Sequence, residues 1–343
     1  MAEYGVGVVG TGWVAGEHMR AWHANPHTKL VGVASRTVEG AQRKVAEVGI
    51  PCRVYDSYEQ LLADPEIDIV SVCSPPDQHV EQAVAAAEAG KHICLEKAIA
   101  LDLDSLRRLR DTIRRTKVKT VVSFVLRWNP MFETIKAVLA DNAIGHVFYA
   151  ESDYYHGIGP WYKQFSWNIK KSVGVSSLLS AGIHAVDALR WFVGSEATEV
   201  HAYSVRGNGK PFDVYEYDPT EVLIVKFANG AIGKVASSIE NKMPYVFNLF
   251  MLGSEGSIRN NEIWSKGKFP GQRDWVRVPT ILPDSGDVTH HPFQAEIDHF
   301  VDCIINKVES HTNVEDAVKT HELAMAADLS AAQGGMAVRL PLL

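Results

Sequence analysis

The chain has 343 residues, of which 46% are hydrophobic and 22% charged, with a formal net charge of −7. This length exceeds the ~250–300 residues at which single cores usually stop growing, so two domains are expected, and the acidic balance argues against a nucleic-acid surface. No apolar run approaches the ~20 residues of a membrane span and no export signal is visible, so a cytoplasmic protein without membrane contact is expected.

Short apolar runs alternate with helical patterns over residues 1–123. The predicted strands are residues 4–10, 30–35, 68–74, 92–97 and 119–124, with a helical pattern after each of the first four. Strands that are apolar throughout and followed by helices indicate a parallel sheet covered on both faces. We therefore expect a doubly wound Rossmann domain, with ligands at the carboxyl ends of its strands.

The pattern changes to longer alternating strands over residues 124–343. After a helix at 129–142, the predicted strands are residues 146–156, 197–207, 220–228, 231–240 and 246–254, with helices at 180–192, 293–306 and 314–332 and a short last strand at 337–342. Turn pairs such as Asn229-Gly230 favour a mostly antiparallel sheet. If no helix covers one face of this large sheet, we expect that face to pair with another subunit.

GTGWVAG (10–16) follows the first strand and opens the first helix. It fits the pattern G-x-G-x-x-G/A, in which the first glycine makes a tight turn and the second lets the backbone approach a pyrophosphate. The helix N-terminus then presents its N–H groups to the anion. The residues expected to bind a dinucleotide here are Gly10, Thr11, Gly12, Trp13 and Val14.

The end of the second strand carries Ser35 and Arg36 and no acidic residue. Sites for NAD usually place an acid there to hold the ribose hydroxyls, whereas a hydroxyl followed by a guanidinium suits a 2′-phosphate. Arg36 could instead only stack on adenine. The sequence therefore favours NADP over NAD.

Glu96 and Lys97 end the predicted strand at 92–97, at the edge of the sheet where a nicotinamide is expected. A lysine that is desolvated beside a positive ring has a lowered pKa and can take a proton from a substrate hydroxyl. The alternative is a structural ion pair of Lys97 with Glu96 or with a helix carboxylate.

SAGIHAVDALRW (180–191) places Ser180, His184 and Asp187 on one face of a predicted helix, through steps of four and three residues. A buried histidine held by an aspartate one turn away is a common structural feature. His184 is also a second titratable group, from the other predicted domain, and we expect its side chain to lie close to that of Lys97.

Taken together, these motifs resemble the Gfo/Idh/MocA oxidoreductases, and the resemblance covers nearly the whole chain. It depends on GTGWVAG, on residues 74–97 (SPPDQHVEQAVAAAEAGKHICLEK), on RWNP (127–130) and on GIHAVDALRW. The resemblance implies that Lys97 is the catalytic lysine of a Glu-Lys-Pro motif and that His184 is catalytic or orients the substrate. It also implies that the cofactor cleft is lined by Ser74, Pro75, His79, Glu96, Lys97, Arg127 and Trp128. The resemblance further implies that residues 124–343 are a substrate-binding and oligomerisation domain, whose sheet pairs subunits into a homodimer or homotetramer.

Two positions depart from the pattern of the resembled family. The motif reads Glu96-Lys97-Ala98, without the proline, and Ser180 stands where many members carry an aspartate. Serine cannot serve as a carboxylate base, so Lys97 must act with His184 alone or another acid such as Asp187 must contribute.

DYYHGIGPWYKQFSW (153–167) is the expected substrate segment. Tyr155, His156 and Trp161 could stack on sugar rings and hydrogen-bond their hydroxyls, together with Ser180 and Asp187. Alternate side chains of this strand could instead simply face the sheet core. The four cysteines are far apart and the adjacent His290 and His291 point in different directions, so no metal site is expected.

The resulting hypothesis is an NAD(P)-dependent oxidoreductase that transfers hydride between nicotinamide and a carbon of a sugar, cyclitol or glycoside. Two alternatives remain open at this point. One is a hydrolase or lyase that oxidises a glycoside transiently, and the other is a cofactor-binding subunit without catalysis.

Overall fold

The structure is a computed structural model that describes residues 4–280, 282 and 291–343. His290, for which the sequence predicts no metal role, lies outside the described residues. The chain forms two compact units, one of residues 1–125 and 292–318 and the other of residues 126–291 and 319–343.

The first unit contains a six-stranded parallel sheet in the order β3-β2-β1-β4-β5-β6. Its strands are Tyr4–Val9 (β1), Thr28–Ala34 (β2), Arg53–Tyr55 (β3), Ile69–Val72 (β4), His92–Leu95 (β5) and Thr120–Val122 (β6). The central strands are almost entirely buried because helices cover both faces of a parallel sheet. The predicted Rossmann topology is therefore confirmed.

Five helices connect these strands. They are Trp13–Ala24 (α1), Val38–Val48 (α2), Tyr58–Ala63 (α3), His79–Glu88 (α4) and Leu103–Thr116 (α5). Side chains cap three of them, because Thr37, Ser57 and Asp102 accept from backbone N–H groups of the first turns of α2, α3 and α5. The short β3 and α3 were not predicted, since their patterns are too brief to show a period.

The second unit contains a nine-stranded sheet in the order β14-β13-β12-β11-β7-β10-β9-β8-β15. Its strands are Val147–Tyr155 (β7), Ala197–Val205 (β8), Thr220–Phe227 (β9), Ile232–Ser238 (β10), Val246–Gly253 (β11), Gly256–Arg259 (β12), Glu262–Ser265 (β13), Val276–Arg277 (β14) and Val338–Arg339 (β15). Every pair is antiparallel except β7 with β10. This confirms the predicted mixed, mostly antiparallel sheet.

The two faces of this sheet differ in burial. Along β9, Leu223 and Val225 are fully buried, whereas Val222 and Ile224 are 41% and 55% exposed. Helix α8 (Ile183–Val193) follows α6 (Pro130–Ala140) and the short α7 (Phe165–Asn168), and it packs on β7 and β10. The side that bears Val222 and Ile224 is called the outer face below.

The helix α9 (Phe293–Asn306) belongs to the first unit although it follows the large sheet in the chain. Asn25 Nδ2 at the end of α1 donates to Asp298 Oδ1 at 2.7 Å, and the Trp22 and Phe300 rings lie 6.5 Å apart edge to face. The division between the units falls within α10 (Val314–Ala332). The sequence pattern predicts a domain boundary at residue 123, but it does not predict that residues 292–318 return to the first unit.

None of the described helices is long and apolar enough to cross a membrane. Within the same described residues, no group of three or more His, Cys, Asp or Glu side chains could hold a metal ion. A cytoplasmic location stays a prediction.

Candidate active site

The turn between β1 and α1 has the geometry that the glycine pattern requires. Gly10 has φ +108°, and a Cβ atom there would lie 2.5 Å from the carbonyl carbon and oxygen of Cys73. Gly12 caps α1 without any side-chain hydrogen bond, and the first turn carries no acid. A Cβ on Gly12 would meet only the Cys73 carbonyl oxygen, at 4.0 Å. The N-terminus of α1 is thus open to an anion, which fits a dinucleotide pyrophosphate.

The residues after the first turn and after β2 share one corner of the sheet. A Cβ on Gly40 would lie 3.1 Å from Ser35 Oγ and 3.9 Å from Thr11 Oγ1. Ser35 Oγ donates to the Thr37 carbonyl oxygen at 2.7 Å, and Arg36 is exposed. Trp13 is 47% exposed, while Val14 is partly buried. These positions suit the adenosine half of a dinucleotide, with no carboxylate at the end of β2.

His79 is fully buried and contacts backbone rather than solvent. Its Nδ1 lies 2.7 Å from the Ala98 carbonyl oxygen and its Nε2 lies 2.8 Å from the Ser74 carbonyl oxygen. Burial lowers its pKa. His79 therefore links Ala98, the residue after Lys97, to the loop that contains Ser74 and Pro75. If this loop contacts a cofactor, His79 supports the loop and does not touch the cofactor itself.

Lys97 follows β5 at the carboxyl edge of the sheet. Burial lowers its pKa, and the charge of Glu96 opposes this shift only in part. The peptide bond between Lys97 and Ala98 is cis. The position and the lowered pKa both suit a lysine that exchanges a proton with a substrate.

Glu96 is buried beside Lys97 and has a second partner that the sequence did not predict. His18 Nε2 lies 3.1 Å from Glu96 Oε1, and His18 Nδ1 lies 2.8 Å from Ser71 Oγ. Burial alone would raise the pKa of Glu96, but the hydrogen bond and charge of His18, with the charge of Lys97, hold it below its usual value. His18 and Glu96 are 78 positions apart, so no local pattern reveals the pair.

In the second unit, Arg127 and Asp187 bind each other. Arg127 Nε donates to Asp187 Oδ2 at 2.8 Å and Nη2 donates to Oδ1 at 2.6 Å, while Thr320 Oγ1 donates to the same Oδ1 at 3.1 Å. Trp128 is 7% exposed. Because Asp187 binds Arg127 and Thr320, its contacts give no support to the predicted substrate contact or to a hydrogen bond with His184. The ion pair gives both charged side chains a structural role.

Ser180 lies in a π-helical turn, Leu178–Gly182, that precedes α8, so the predicted single helix begins irregularly. A Cβ on Gly182 would lie 2.3 Å from Ser237 Oγ, which explains the glycine at this close approach to β10. Nearby, the Tyr217 hydroxyl donates to the Asn168 carbonyl oxygen at 2.7 Å. His184 lies in the first turn of α8 and is 7% exposed.

His156 and Trp161 line one cavity of about 750 Å³ in the second unit. His156 contacts the hydroxyl groups of Tyr154 and Tyr162 at 3.1 and 2.7 Å, and Trp161 is 64% exposed. Further lining residues are Phe212, Asn241, Tyr245 and two lysines, Lys210 and Lys242, which the sequence analysis did not select. The cavity offers aromatic faces and polar groups of the kind that bind sugars.

Tyr155 does not share this cavity. Because alternate side chains of a strand point to opposite faces, Tyr155 lies on the other side of β7 from Tyr154. On the same face, two residues earlier, the Asp153 carboxylate accepts from Lys234 Nζ at 2.9 Å. This placement on the outer face gives no support to a substrate contact.

Residues 4–124 match the oxidoreductase family GFO/IDH/MocA, described as an NAD-binding Rossmann fold, and residues 132–259 match the GFO/IDH/MocA C-terminal domain. Scyllo-inositol 2-dehydrogenase (NAD(+)) of Bacillus subtilis (strain 168) is 28% identical over 321 residues, 92% of this chain and 90% of the relative. Levoglucosan dehydrogenase of Pseudarthrobacter phenanthrenivorans is 27% identical over 292 residues, covering 75% and 73%.

The fold also matches solved structures. A levoglucosan dehydrogenase in complex with NADH and L-sorbose superimposes with a TM-score of 0.89 at 23% identity, over 100% of both chains. Each of these relatives that names a cofactor names NAD or NADH. The expected preference for NADP therefore has no support from them.

Proposed function

The chain belongs to the GFO/IDH/MocA oxidoreductases, as the resemblance predicted, and from this premise we propose that it is a nicotinamide-dependent dehydrogenase or reductase of a sugar or cyclitol. The relatives' names support the substrate class, since inositols, levoglucosan and L-sorbose are polyhydroxylated. The observation that carries the proposal is Lys97, whose pKa is lowered by burial at the carboxyl edge of a Rossmann sheet.

Lys97 is proposed as the acid–base group. In the oxidation direction, its neutral Nζ accepts the proton of the substrate hydroxyl as the carbonyl group forms. The nicotinamide, when bound, supplies the acceptor for the hydride from the same carbon. In the reverse direction the ammonium group returns the proton to the carbonyl oxygen. A lowered pKa favours the neutral amine that the first direction needs.

The cofactor is proposed to bind at Gly10–Val14 through the open N-terminus of α1, with Ser35 and Arg36 at the ribose. The absence of an acid among the described residues at the end of β2 supports acceptance of the 2′-phosphate of NADP. The names of the relatives support NAD. Both cofactors therefore belong in the assay.

In the second unit, we propose that His184 and Ser180 orient the substrate and that Trp161 stacks on its ring. Trp161 is exposed at the mouth of the aromatic cavity, and His156 is held in it by two tyrosine hydroxyls. Ser180 can donate or accept a hydrogen bond but cannot act as a carboxylate base. This leaves the acid–base work to Lys97.

The outer face is proposed as the surface that pairs two subunits. Its exposed apolar side chains on β8, β9 and β10 include Tyr203, Val222, Ile224 and Ile232, at 67%, 41%, 55% and 45% exposure. Apolar residues that adjoin on neighbouring strands form a patch larger than single exposed residues would. Light scattering of the wild type and of Ile224→Glu tests this, since the variant should shift toward monomer.

The proposed activity is tested with a panel of inositols and sugars, each with NAD and with NADP, followed by the absorbance of the reduced nicotinamide. Net reduction with at least one polyol supports the proposal. Glycoside cleavage that needs cofactor without net reduction would favour the hydrolase or lyase alternative.

A further inference from the structure

His18 is a fully buried histidine of α1, the helix that begins at the cofactor turn. Its Nδ1 lies 2.8 Å from the hydroxyl of Ser71 on β4, and its Nε2 lies 3.1 Å from Oε1 of Glu96, directly after β5. The ring of Phe293 on α9 packs on its imidazole, with the ring centroids 5.2 Å apart. His18 thus contacts four segments of the first unit, and neither the sequence patterns nor the proposed reaction gives it a role.

The partners of His18 determine which of its nitrogen atoms donates to Glu96. Burial opposes ionisation of Glu96, but His18 and Lys97 hold its pKa below the usual value. A carboxylate oxygen only accepts hydrogen bonds, so the Nε2–H group of His18 donates to Glu96 Oε1. The hydroxyl of Ser71 can donate to Nδ1 or accept from it, so Glu96 receives its hydrogen bond from α1 in either charge state of the imidazole.

The second oxygen of Glu96 binds the backbone of Lys97. The Lys97 N–H donates to Glu96 Oε2 at 3.3 Å. One carboxylate therefore connects His18 Nε2 to the main chain of the proposed acid–base residue. Because this carboxylate is buried, rotation that breaks either contact would leave a polar atom without its partner, which is costly.

We propose that His18 is a positioning residue for Lys97: its Nε2–H holds the Glu96 carboxylate in the orientation that binds the Lys97 backbone. Without this donor, the carboxylate is expected to turn toward the ammonium group of Lys97, and an ion pair there would displace that group from the substrate. This inference rests on the proposed acid–base role of Lys97. All three residues lie in the first unit, so the arrangement is local to one compact body.

Two amide variants separate the two contacts of His18. Glutamine extends about as far as Nε2, so His18→Gln can still donate to Glu96. Asparagine is shorter and places its amide near Nδ1, so His18→Asn can bind Ser71 but cannot reach Glu96. We expect His18→Asn to lose ~10-fold or more in kcat for oxidation at pH 7, and His18→Gln to recover kcat to within about 3-fold of the wild type. Fluorescence titration should find NADH affinity within about 2-fold of the wild type in both. His23→Asn, at an exposed position of the same helix, is the control.

The other outcomes of this comparison would overturn the positioning role. Equal losses of kcat in the two variants, or losses that simply follow the melting temperature, would show that His18 serves only the fold. A wild-type kcat in His18→Asn would show that the donor to Glu96 is dispensable. A larger loss in His18→Gln than in His18→Asn would assign the effect to the contact with Ser71.

A double-mutant cycle tests whether the effect of His18 passes through Glu96. Glu96→Leu removes the acceptor, so adding His18→Asn to this variant should lower kcat by no more than about 2-fold. If the two losses of kcat simply add, His18 does not act through Glu96 and the inference is wrong.

A measurement on the unaltered chain does not depend on how well any variant folds. Nitrogen NMR of the histidine side chains should show a proton on Nε2 of His18 at pH 7, with the signal assigned by its loss in His18→Gln. An Nε2 without a proton would mean that His18 does not donate to Glu96, and the inference would fall. Failure of the proposed function is separate, because it would show as full activity in Lys97→Ala whatever His18 does.

Discussion

Arg127 and Asp187 form a buried two-point ion pair, with Nε–Oδ2 at 2.8 Å and Nη2–Oδ1 at 2.6 Å. Both side chains are nearly inaccessible, at 2% and 3% exposure. The RWNP segment is thus fastened to α8 within the second unit. A motif that resembles a family signature can in this way owe its residue types to folding as much as to ligand binding.

Asp187→Ala is expected to destabilise the protein by ~3–5 kcal/mol, because it leaves the Arg127 guanidinium buried without its carboxylate. Urea denaturation measures this change. Glu315→Ala is the control, since Glu315 and its partner Arg114 are 43% and 56% exposed and the loss of such a surface pair should cost about 1 kcal/mol or less. Equal denaturation midpoints for Asp187→Ala and the wild type would contradict the structural role of the pair.

Gly10→Ala should lower the stability of the protein, whereas Gly12→Ala should weaken cofactor binding. Alanine at Gly10 meets the Cys73 carbonyl group and a positive φ, so the melting temperature should fall. Alanine at Gly12 has open space in the free protein, yet its methyl group would stand where the pyrophosphate approaches. We expect Gly12→Ala to keep its melting temperature and to weaken NADH binding ~10-fold or more by fluorescence titration. Unchanged NADH affinity in Gly12→Ala would show that the pyrophosphate does not bind at this turn.

Arg36→Glu should discriminate between the cofactors. Placing a carboxylate at the end of β2 repels the 2′-phosphate, so kcat/KM with NADP should drop ~10-fold or more while that with NAD changes little. Arg43→Glu makes the same charge change at an exposed position of α2 and should leave the NADP/NAD ratio as in the wild type. A wild type that rejects NADP at the outset would show that Arg36 only stacks on adenine.

Glu221 on β9 is buried, and its acidic neighbour Asp328 on α10 is partly buried. Burial and the charge of Asp328 raise the pKa of Glu221, and burial raises the pKa of Asp328, whose Oδ2 accepts from Ser176 Oγ at 3.0 Å. Both folded values lie above the unfolded ones, so the pair stabilises the fold at low pH and this stability is lost as the pH rises through the folded values.

Glu221→Gln should therefore flatten the fall in melting temperature between pH 5 and pH 9, and should raise it by ~2 °C or more at pH 8. Glu255→Gln, an exposed change of the same kind in the same unit, serves as the control. Parallel pH curves for Glu221→Gln and the wild type would contradict a raised pKa of Glu221 in the folded protein.

The sequence predicted the parts of this protein that depend on local patterns. The turn at Gly10, the strand before Lys97 and the bounds of α9 follow from periodicity and from the needs of a tight turn. The fold class followed from the alternation of strands and helices, because a parallel sheet needs crossover helices between its strands.

The contacts that tune the site could not be predicted. His18 with Glu96 and Ser123 with Glu296 join positions 78 and 173 residues apart, and nothing in the local composition distinguishes these residues from other buried polar side chains. The π-helical turn at Ser180 was also not predicted, since one extra residue in a helix leaves the apolar pattern intact. Tertiary packing alone reveals such pairings.

The central claim is that Lys97 exchanges the proton of the substrate hydroxyl. The most direct measurement is the pH dependence of kcat/KM for oxidation of the best polyol in the panel, for the wild type and for Lys97→Ala. The account predicts a rate that rises with pH through an apparent pKa below the ordinary lysine value, and a loss of ~10²-fold or more in Lys97→Ala with NADH affinity retained. A Lys97→Ala enzyme with wild-type kcat/KM across the same pH range would contradict it.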